Sequence, residues 1–198
     1  MPDDALLAYS QRAAEYVALL GSMDAVHDDD RALITRWATE LDGPVLDAGC
    51  GPGHWTAHLQ GLGVDVEGLD QVSDFLRHAR KAHPDTRFRL GTLQAPGVPP
   101  GSLAGVLAWY SLIHLPPPEL PDVLAGFRAA LAPGGGLVVG FCRGERLEPF
   151  AHKVTEAWFW PPDELAGRLE EAGFAVLEKH RRDDAGQRPH GALVARRA

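Results

Sequence analysis

The run Pro44-Val45-Leu46-Asp47-Ala48-Gly49-Cys50-Gly51-Pro52-Gly53 decides how the rest of the chain is read. An apolar stretch of strand character ends in an acid, and the chain then breaks into glycines at every second position. His54-Trp55-Thr56-Ala57-His58-Leu59 follows, with the composition of a helix start. Strand, glycine turn and helix N-terminus make the first half of a nucleotide-binding βαβ unit. Glycine is needed where φ must be positive, or where a ligand approaches the backbone without meeting a Cβ. The helix start adds free N–H groups and partial positive charge beside whatever binds there.

Details of the turn separate the possible ligands. A dinucleotide fingerprint, G-x-G-x-x-G/A, counted from Gly49, requires Gly or Ala where this chain has His54. The Lys-Ser/Thr ending of a phosphate-binding P-loop is missing too. Asp47 would repel a pyrophosphate and suits a ligand that is positively charged at that point. Downstream, Val64-Asp65-Val66-Glu67-Gly68-Leu69-Asp70 alternates with period two and closes on Asp70, seventeen residues beyond Gly53. A carboxylate there can accept hydrogen bonds from both hydroxyls of a ribose, each worth roughly 1.5–3 kcal/mol because the acceptor is charged.

Asp47-Ala-Gly-Cys-Gly-Pro-Gly, followed at this spacing by Asp70, resembles the first two motifs of the class I S-adenosylmethionine-dependent methyltransferases. The resemblance implies that Gly49, Gly51 and Gly53, with His54 and Trp55, wrap the methionine end of the cofactor. Asp47 then faces its ammonium, and Asp70 with Gln71 takes the ribose. The residues after the third strand, Gly91-Thr92-Leu93-Gln94, should lie against the adenine. They lack the acid often found there, which leaves recognition to backbone groups, Thr92 or Gln94, with Leu93 as a wall. Trp109-Tyr110-Ser111-Leu112-Ile113-His114 resembles the family's fourth motif, whose residues flank the reactive methyl and open the acceptor pocket. Trp109 and Tyr110 are accordingly expected at the cofactor. Leu131-Ala-Pro-Gly-Gly-Gly136 is a further recurrent feature, expected to stop a helix ahead of strand five.

The totals bound the function. A chain of 198 residues, 45% hydrophobic and 23% charged, is large enough for one globular domain with a proper core. A formal charge of −8 argues against general nucleic-acid affinity, which rests on Lys and Arg neutralising phosphates. Asp28-Asp29-Asp30 reads as a solvated helix start, and the Arg181-Arg182 and Arg196-Arg197 pairs as solvated surface. Two cysteines without metal or redox spacing fit a reducing cytoplasm. No apolar run approaches the ~20 residues that span a bilayer, and no secretory leader is legible.

In chain order the pattern predicts an amphipathic helix over residues 3–20 and a second from Asp28 to about Leu41. Seven strands with interleaved helices then follow from Pro44. Residues 1–42 read as a helical cap and 43–198 as an α/β core with an aromatic-rich insertion at 143–160. The predicted architecture is a three-layer Rossmann-like α/β sandwich, its sheet parallel except for one antiparallel strand at an edge. Tyr9 and Tyr16 lie two turns apart on one helix face. They either pack or, as the resemblance implies, cover the cofactor, with Tyr16 favoured for contact.

The inferred reaction is in-line transfer of a methyl group from S-adenosylmethionine to a small-molecule acceptor, leaving S-adenosylhomocysteine. Alignment alone can supply roughly 7–11 kcal/mol. No metal-ligand cluster or catalytic triad is legible. If a protonated acceptor needs a base, His114 beyond strand four and His152 in the insertion are the candidates. A nicotinamide-dependent oxidoreductase, opposed by His54, and a non-catalytic module that binds the cofactor are the alternatives. The net acidity and the absence of an Asn-Pro-Pro-Tyr-type fourth motif speak against a nucleic-acid methyltransferase. The sequence leaves open the acceptor, the atom methylated and the choice between monomer and homodimer.

Overall fold

The computed structural model describes residues 9, 10, 12, 15, 17 and 21–198, so Tyr16 lies outside the described residues. Tyr9, Ser10, Arg12, Glu15 and Val17 have helical backbone. The elements that follow are α1 (Asp28–Thr39), β1 (Val45–Ala48), α2 (His54–Gly61), β2 (Val66–Asp70), α3 (Ser73–Ala82), β3 (Arg87–Leu90) and β4 (Leu103–Trp109). The second half adds α4 (Leu120–Ala130), β5 (Leu131–Cys142), β6 (Glu148–Ala151), β7 (Glu156–Phe159), α5 (Pro162–Glu171), β8 (Phe174–Arg182) and β9 (His190–Arg197).

Seven strands make one sheet in the order β3-β2-β1-β4-β5-β9-β8. The first five are parallel. The expected antiparallel pair stands at one edge, with β9 as the reversed strand and β8 outside it. From β1 the chain steps to β2 and β3 on one side, and returns to β4 and β5 on the other. The carboxyl ends of β1 and β4 therefore flank the topological switch point, where open α/β sheets bind ligands.

Alternation along the strands builds two apolar layers. Val45 faces Ile34 and Trp37 of α1 and Leu59 of α2, while its neighbour Leu46 faces Val123 and Phe127 of α4. Each such side chain contributes roughly 1.5–3 kcal/mol on burial. Gly105 of β4 pairs with Gly136 of β5 beneath the Trp37 indole. A Cβ at Gly136 would lie 2.6 Å from the indole nitrogen, so the glycine pair makes the space that α1 docks into.

Several boundaries differ from the sequence expectation. The helix α4 ends at Ala130, before the Pro-Gly run rather than at it. Residues 132–135 bulge out between the Leu103–Leu131 and Gly105–Gly136 pairs, where Pro133 has no N–H for the ladder and Gly134 has φ 76°. Ser73 is the first residue of α3 and makes no capping bond, Val72 standing at the cap. The insertion forms a separate β6–β7 hairpin. Most of its aromatics pack: Phe150 stacks on Phe159 at 4.1 Å, and Trp160 joins the main core. No helix among the described residues is long and apolar enough to cross a membrane.

Candidate active site

The turn after β1 is built as its glycines require, with φ of 85° at Gly49, 54° at Gly51 and 85° at Gly53. The Gly49 and Cys50 N–H groups donate to the Leu69 carbonyl at 2.7 and 3.0 Å, which ties the turn to β2. A Cβ on Gly49 would sit 2.3 Å from that of Ser111, so β4 closes directly over the turn. Gly53 serves packing instead: its Cβ would meet the Phe88 ring at 2.5 Å, and it lines neither cleft described below.

Asp70 is held from two sides, accepting from the N–H groups of Gly51 and Val72 at 2.8 Å each. Burial raises its pKa, and the Val72, Gly51 and Gln71 backbone groups oppose the rise. A carboxylate offers about four acceptor positions, so two remain for a ligand. With Gln71, Gly91 and Leu93, Asp70 lines one part of a cleft whose far side is Trp109, Tyr110 and His114. Thr92 is exposed and lines neither cleft, because its neighbours Gly91 and Leu93 take the inward positions.

Asp47 is 2% exposed and accepts from the Thr56 hydroxyl at 2.6 Å, with a backbone contact from Thr56 beside it. Burial pushes its pKa up to about 7, Thr56 lowers it and the charge of Asp70 adds to the rise. Beside it His54, Trp55, Trp109 and Tyr110 line a second cleft of about 380 Å³, which shares Tyr9, Gly49, Gly51, Trp109 and Tyr110 with the first. Trp55 and Trp109 meet edge to face at 6.1 Å. His54 Nδ1 and Ser111 Oγ are buried without a hydrogen-bond partner among the described residues, and burial lowers the His54 pKa to about 4.

Both candidate histidines stand at the site. His114 Nδ1 lies 2.7 Å from the Glu156 carbonyl, which can only accept, so Nδ1 carries a hydrogen. Nε2 lies 2.8 Å from the Tyr9 hydroxyl. Tyr9 is thus the described tyrosine of the N-terminal segment that reaches the cleft, resting also against Phe75. His152 is 5.0 Å from His114, ring to ring, and burial with the charge of His114 lowers its pKa to about 4.

The second cleft contains a network that sequence reasoning missed. Tyr110 Oη is 2.5 Å from His190 Nδ1, and His190 Nε2 is 3.4 Å from Asp30 Oδ1. Arg182 holds Asp30 with two bonds, at 2.6 and 3.1 Å, and donates from Nε to Asp184 at 2.6 Å. The solvated reading of Asp30 and Arg182 is therefore corrected, since Asp30 is 8% exposed. A signal was available: Asp30 stands four and seven residues before Ile34 and Trp37, on the buried stripe of α1. Tyr110 itself has φ 56°, an unusual conformation for a bulky side chain, which aims its ring at β9.

A methyltransferase-domain family model matches residues 45–135. An uncharacterized methyltransferase of Synechocystis sp. is 26% identical over 154 residues, covering 69% of this chain and 68% of the relative. Trans-aconitate 2-methyltransferase of Rhizobium meliloti is 37% identical over 99 residues, covering 49% of this chain and 37% of that enzyme. The chain thus spans about two thirds of the first relative and little more than a third of the second. Among solved structures, Burkholderia thailandensis 1,6-didemethyltoxoflavin-N1-methyltransferase, with bound 1,6-didemethyltoxoflavin and S-adenosylhomocysteine, superposes with a TM-score of 0.79. It is 20% identical, and the match covers 100% of this chain and 91% of that one.

Proposed function

We propose that this chain is a class I S-adenosylmethionine-dependent methyltransferase that transfers the methyl group of its cofactor to a small-molecule acceptor, a reading supported by the methyltransferase-domain match over residues 45–135. The observation that carries the reading is Asp47, a carboxylate buried beside a glycine turn and hydrogen-bonded by Thr56, with no cation paired to it among the described residues. A buried charge without a counter-charge is costly, so a site built this way favours a cationic ligand. The donor set fits the cofactor. Asp47 takes the ammonium, Asp70 with its two spare acceptor positions takes the ribose hydroxyls, and Gly91 and Leu93 flank the adenine. Bound there, the cofactor supplies a methyl group already made electrophilic by its sulfonium.

The chain's own contribution is then placement. Gly49 and Gly51 let the ligand reach the backbone, and the Trp55–Trp109 pair walls the junction of the two clefts. Tyr9 and His114 close the cleft, which supports reading the segment around Tyr9 as a cover over it, whereas α1 packs into the core. The second cleft takes the methionine end at Asp47 and receives the acceptor in the part lined by Trp109, Tyr110 and His152. Nothing in the turn favours a nicotinamide dinucleotide, whose pyrophosphate Asp47 would repel.

Calorimetry tests the reading. S-adenosylmethionine and S-adenosylhomocysteine should bind, and nicotinamide dinucleotides should show no comparable binding. Incubation with isotope-labelled cofactor and a metabolite extract should then give a labelled small molecule. Binding without labelling would leave a binding module in place of an enzyme.

A further inference from the structure

We propose that Tyr110, His190 and Asp30 form a proton relay, in which the Tyr110 oxygen takes the proton of an acceptor O–H or N–H as that atom is methylated. The proposal rests on the methyl-transfer reading above and deepens it. It assigns the acceptor to the class that must lose a proton in the reaction, a hydroxyl or a protonated nitrogen rather than a thioether or tertiary amine.

The direction of each bond follows from the partners. The Asp30 carboxylate, fixed by Arg182, lies 3.4 Å from His190 Nε2, and its negative charge there favours the tautomer that carries the hydrogen on Nε2. The neutral ring therefore accepts at Nδ1, and the hydrogen in the 2.5 Å contact comes from the Tyr110 hydroxyl. A phenol oxygen that donates its hydrogen keeps its lone pairs, and Tyr110 lines both clefts, at the junction between cofactor side and acceptor side. The arrangement repeats the roles of a hydroxyl, an imidazole and an orienting carboxylate.

The step balances. As the acceptor atom bonds to the methyl carbon, the carbon–sulfur bond breaks and its electron pair stays on sulfur. The acceptor's proton moves to Tyr110 Oη, and the Tyr110 proton moves to His190 Nδ1. The imidazolium, stabilised by Asp30, later returns that proton to solvent. Free tyrosinate is not required, which matters because burial pushes the Tyr110 pKa upward. His190 faces Asp30 from α1, His180 and Arg182 from β8, Asp184 from the next loop, Cys142 across β5, and Tyr110. Burial outweighs Asp30 among these, lowering the His190 pKa and keeping the ring ready to accept at neutral pH. His114 is the competing base, but its Nε2 already meets the Tyr9 hydroxyl.

The test compares wild type with Tyr110→Phe and Asp30→Asn in the full chain, with S-adenosylhomocysteine calorimetry and thermal melting as controls. Labelled cofactor and a small-molecule extract provide the rate. Tyr110→Phe should bind S-adenosylhomocysteine within about twofold of wild type and lose roughly 10²-fold or more in rate. Wild type should hold a plateau through neutral pH, falling only below the ordinary histidine range. The variant should instead gain rate with rising pH as the acceptor itself ionises. Asp30→Asn should keep a plateau but fall roughly tenfold or more. Independently of turnover, histidine ¹⁵N NMR of the protein alone should show His190 protonated at Nε2, with its Nδ1 resonance moved by Tyr110→Phe. Product formed at unchanged rate and profile by Tyr110→Phe, or a His190 that carries its hydrogen on Nδ1, overturns the relay alone. Cofactor binding with no labelled product overturns the transfer reading, and the relay with it.

Discussion

Two carboxylates lie buried within reach of one cleft, and they are solved in opposite ways. Asp30, on α1, is closed by the bidentate guanidinium of Arg182. Asp47, at the end of β1, is hydrogen-bonded by Thr56 but paired with no cation among the described residues, and its pKa rises to about 7. A charge that the fold itself neutralises organises the acceptor side, whereas a charge left unneutralised marks where a ligand must supply the opposite sign. The same residue type thus serves structure in one place and recognition in the other, and the partner atoms tell them apart.

Replacing each acid should separate these roles. The largest effect is expected for Asp47→Asn, which should weaken S-adenosylmethionine binding by roughly 10²–10³-fold, as loss of one partner of a buried charge pair does. The same substitution should stabilise the ligand-free protein at pH 8. Because the folded pKa lies above that of an unfolded aspartate, the folded state loses stability as pH rises from about 4 to about 7. Removing the charge should restore on the order of 2 kcal/mol, a rise in Tm of roughly 4–8 °C, measurable by calorimetric melting. Asp70→Ala should cost roughly 2–4 kcal/mol of cofactor binding, read by titration calorimetry, if both ribose hydroxyls rest on it.

On the other side of the comparison, Arg182→Ala should destabilise the fold by roughly 2–3 kcal/mol in urea unfolding, by stranding Asp30. Cofactor affinity should stay within about twofold. Unchanged stability there would remove the contrast between the two acids. The smallest effect is expected for Tyr9→Phe, about 1 kcal/mol of stability for a lost hydrogen bond to His114.

The two sides also differ in how legible they are in the amino-acid sequence. Asp47, the glycines and Asp70 lie within 24 consecutive residues, and a strand, a turn and a strand place them by local rules. The acceptor side joins Asp30, Tyr110, Arg182 and His190, which α1, the turn after β4, β8 and β9 bring together. No periodicity links such positions, so Asp30 and Arg182 read as surface charges and His190 as one histidine among nine. Residues whose local pattern serves two ends at once are misplaced for the same reason. The Pro133–Gly136 run looks like a helix stop but forms a bulge in β5, and Gly53, spaced as a ligand glycine, also packs against Phe88. The layers and strand order follow from alternation and chain order, because burying one face of each element admits few arrangements.

Proton linkage tests the role of Asp47 most directly. S-adenosylhomocysteine should be titrated into the protein between pH 5.5 and 7.5, in buffers of differing ionisation enthalpy. The Asp47 carboxyl should lose its proton when the ligand ammonium binds, releasing about half a proton near pH 7. Affinity should fall by up to roughly tenfold per pH unit below that point, and Asp47→Asn should show neither effect. Affinity and heat that do not vary with pH or buffer in the wild type would mean that Asp47 is not where the cofactor's charge is met.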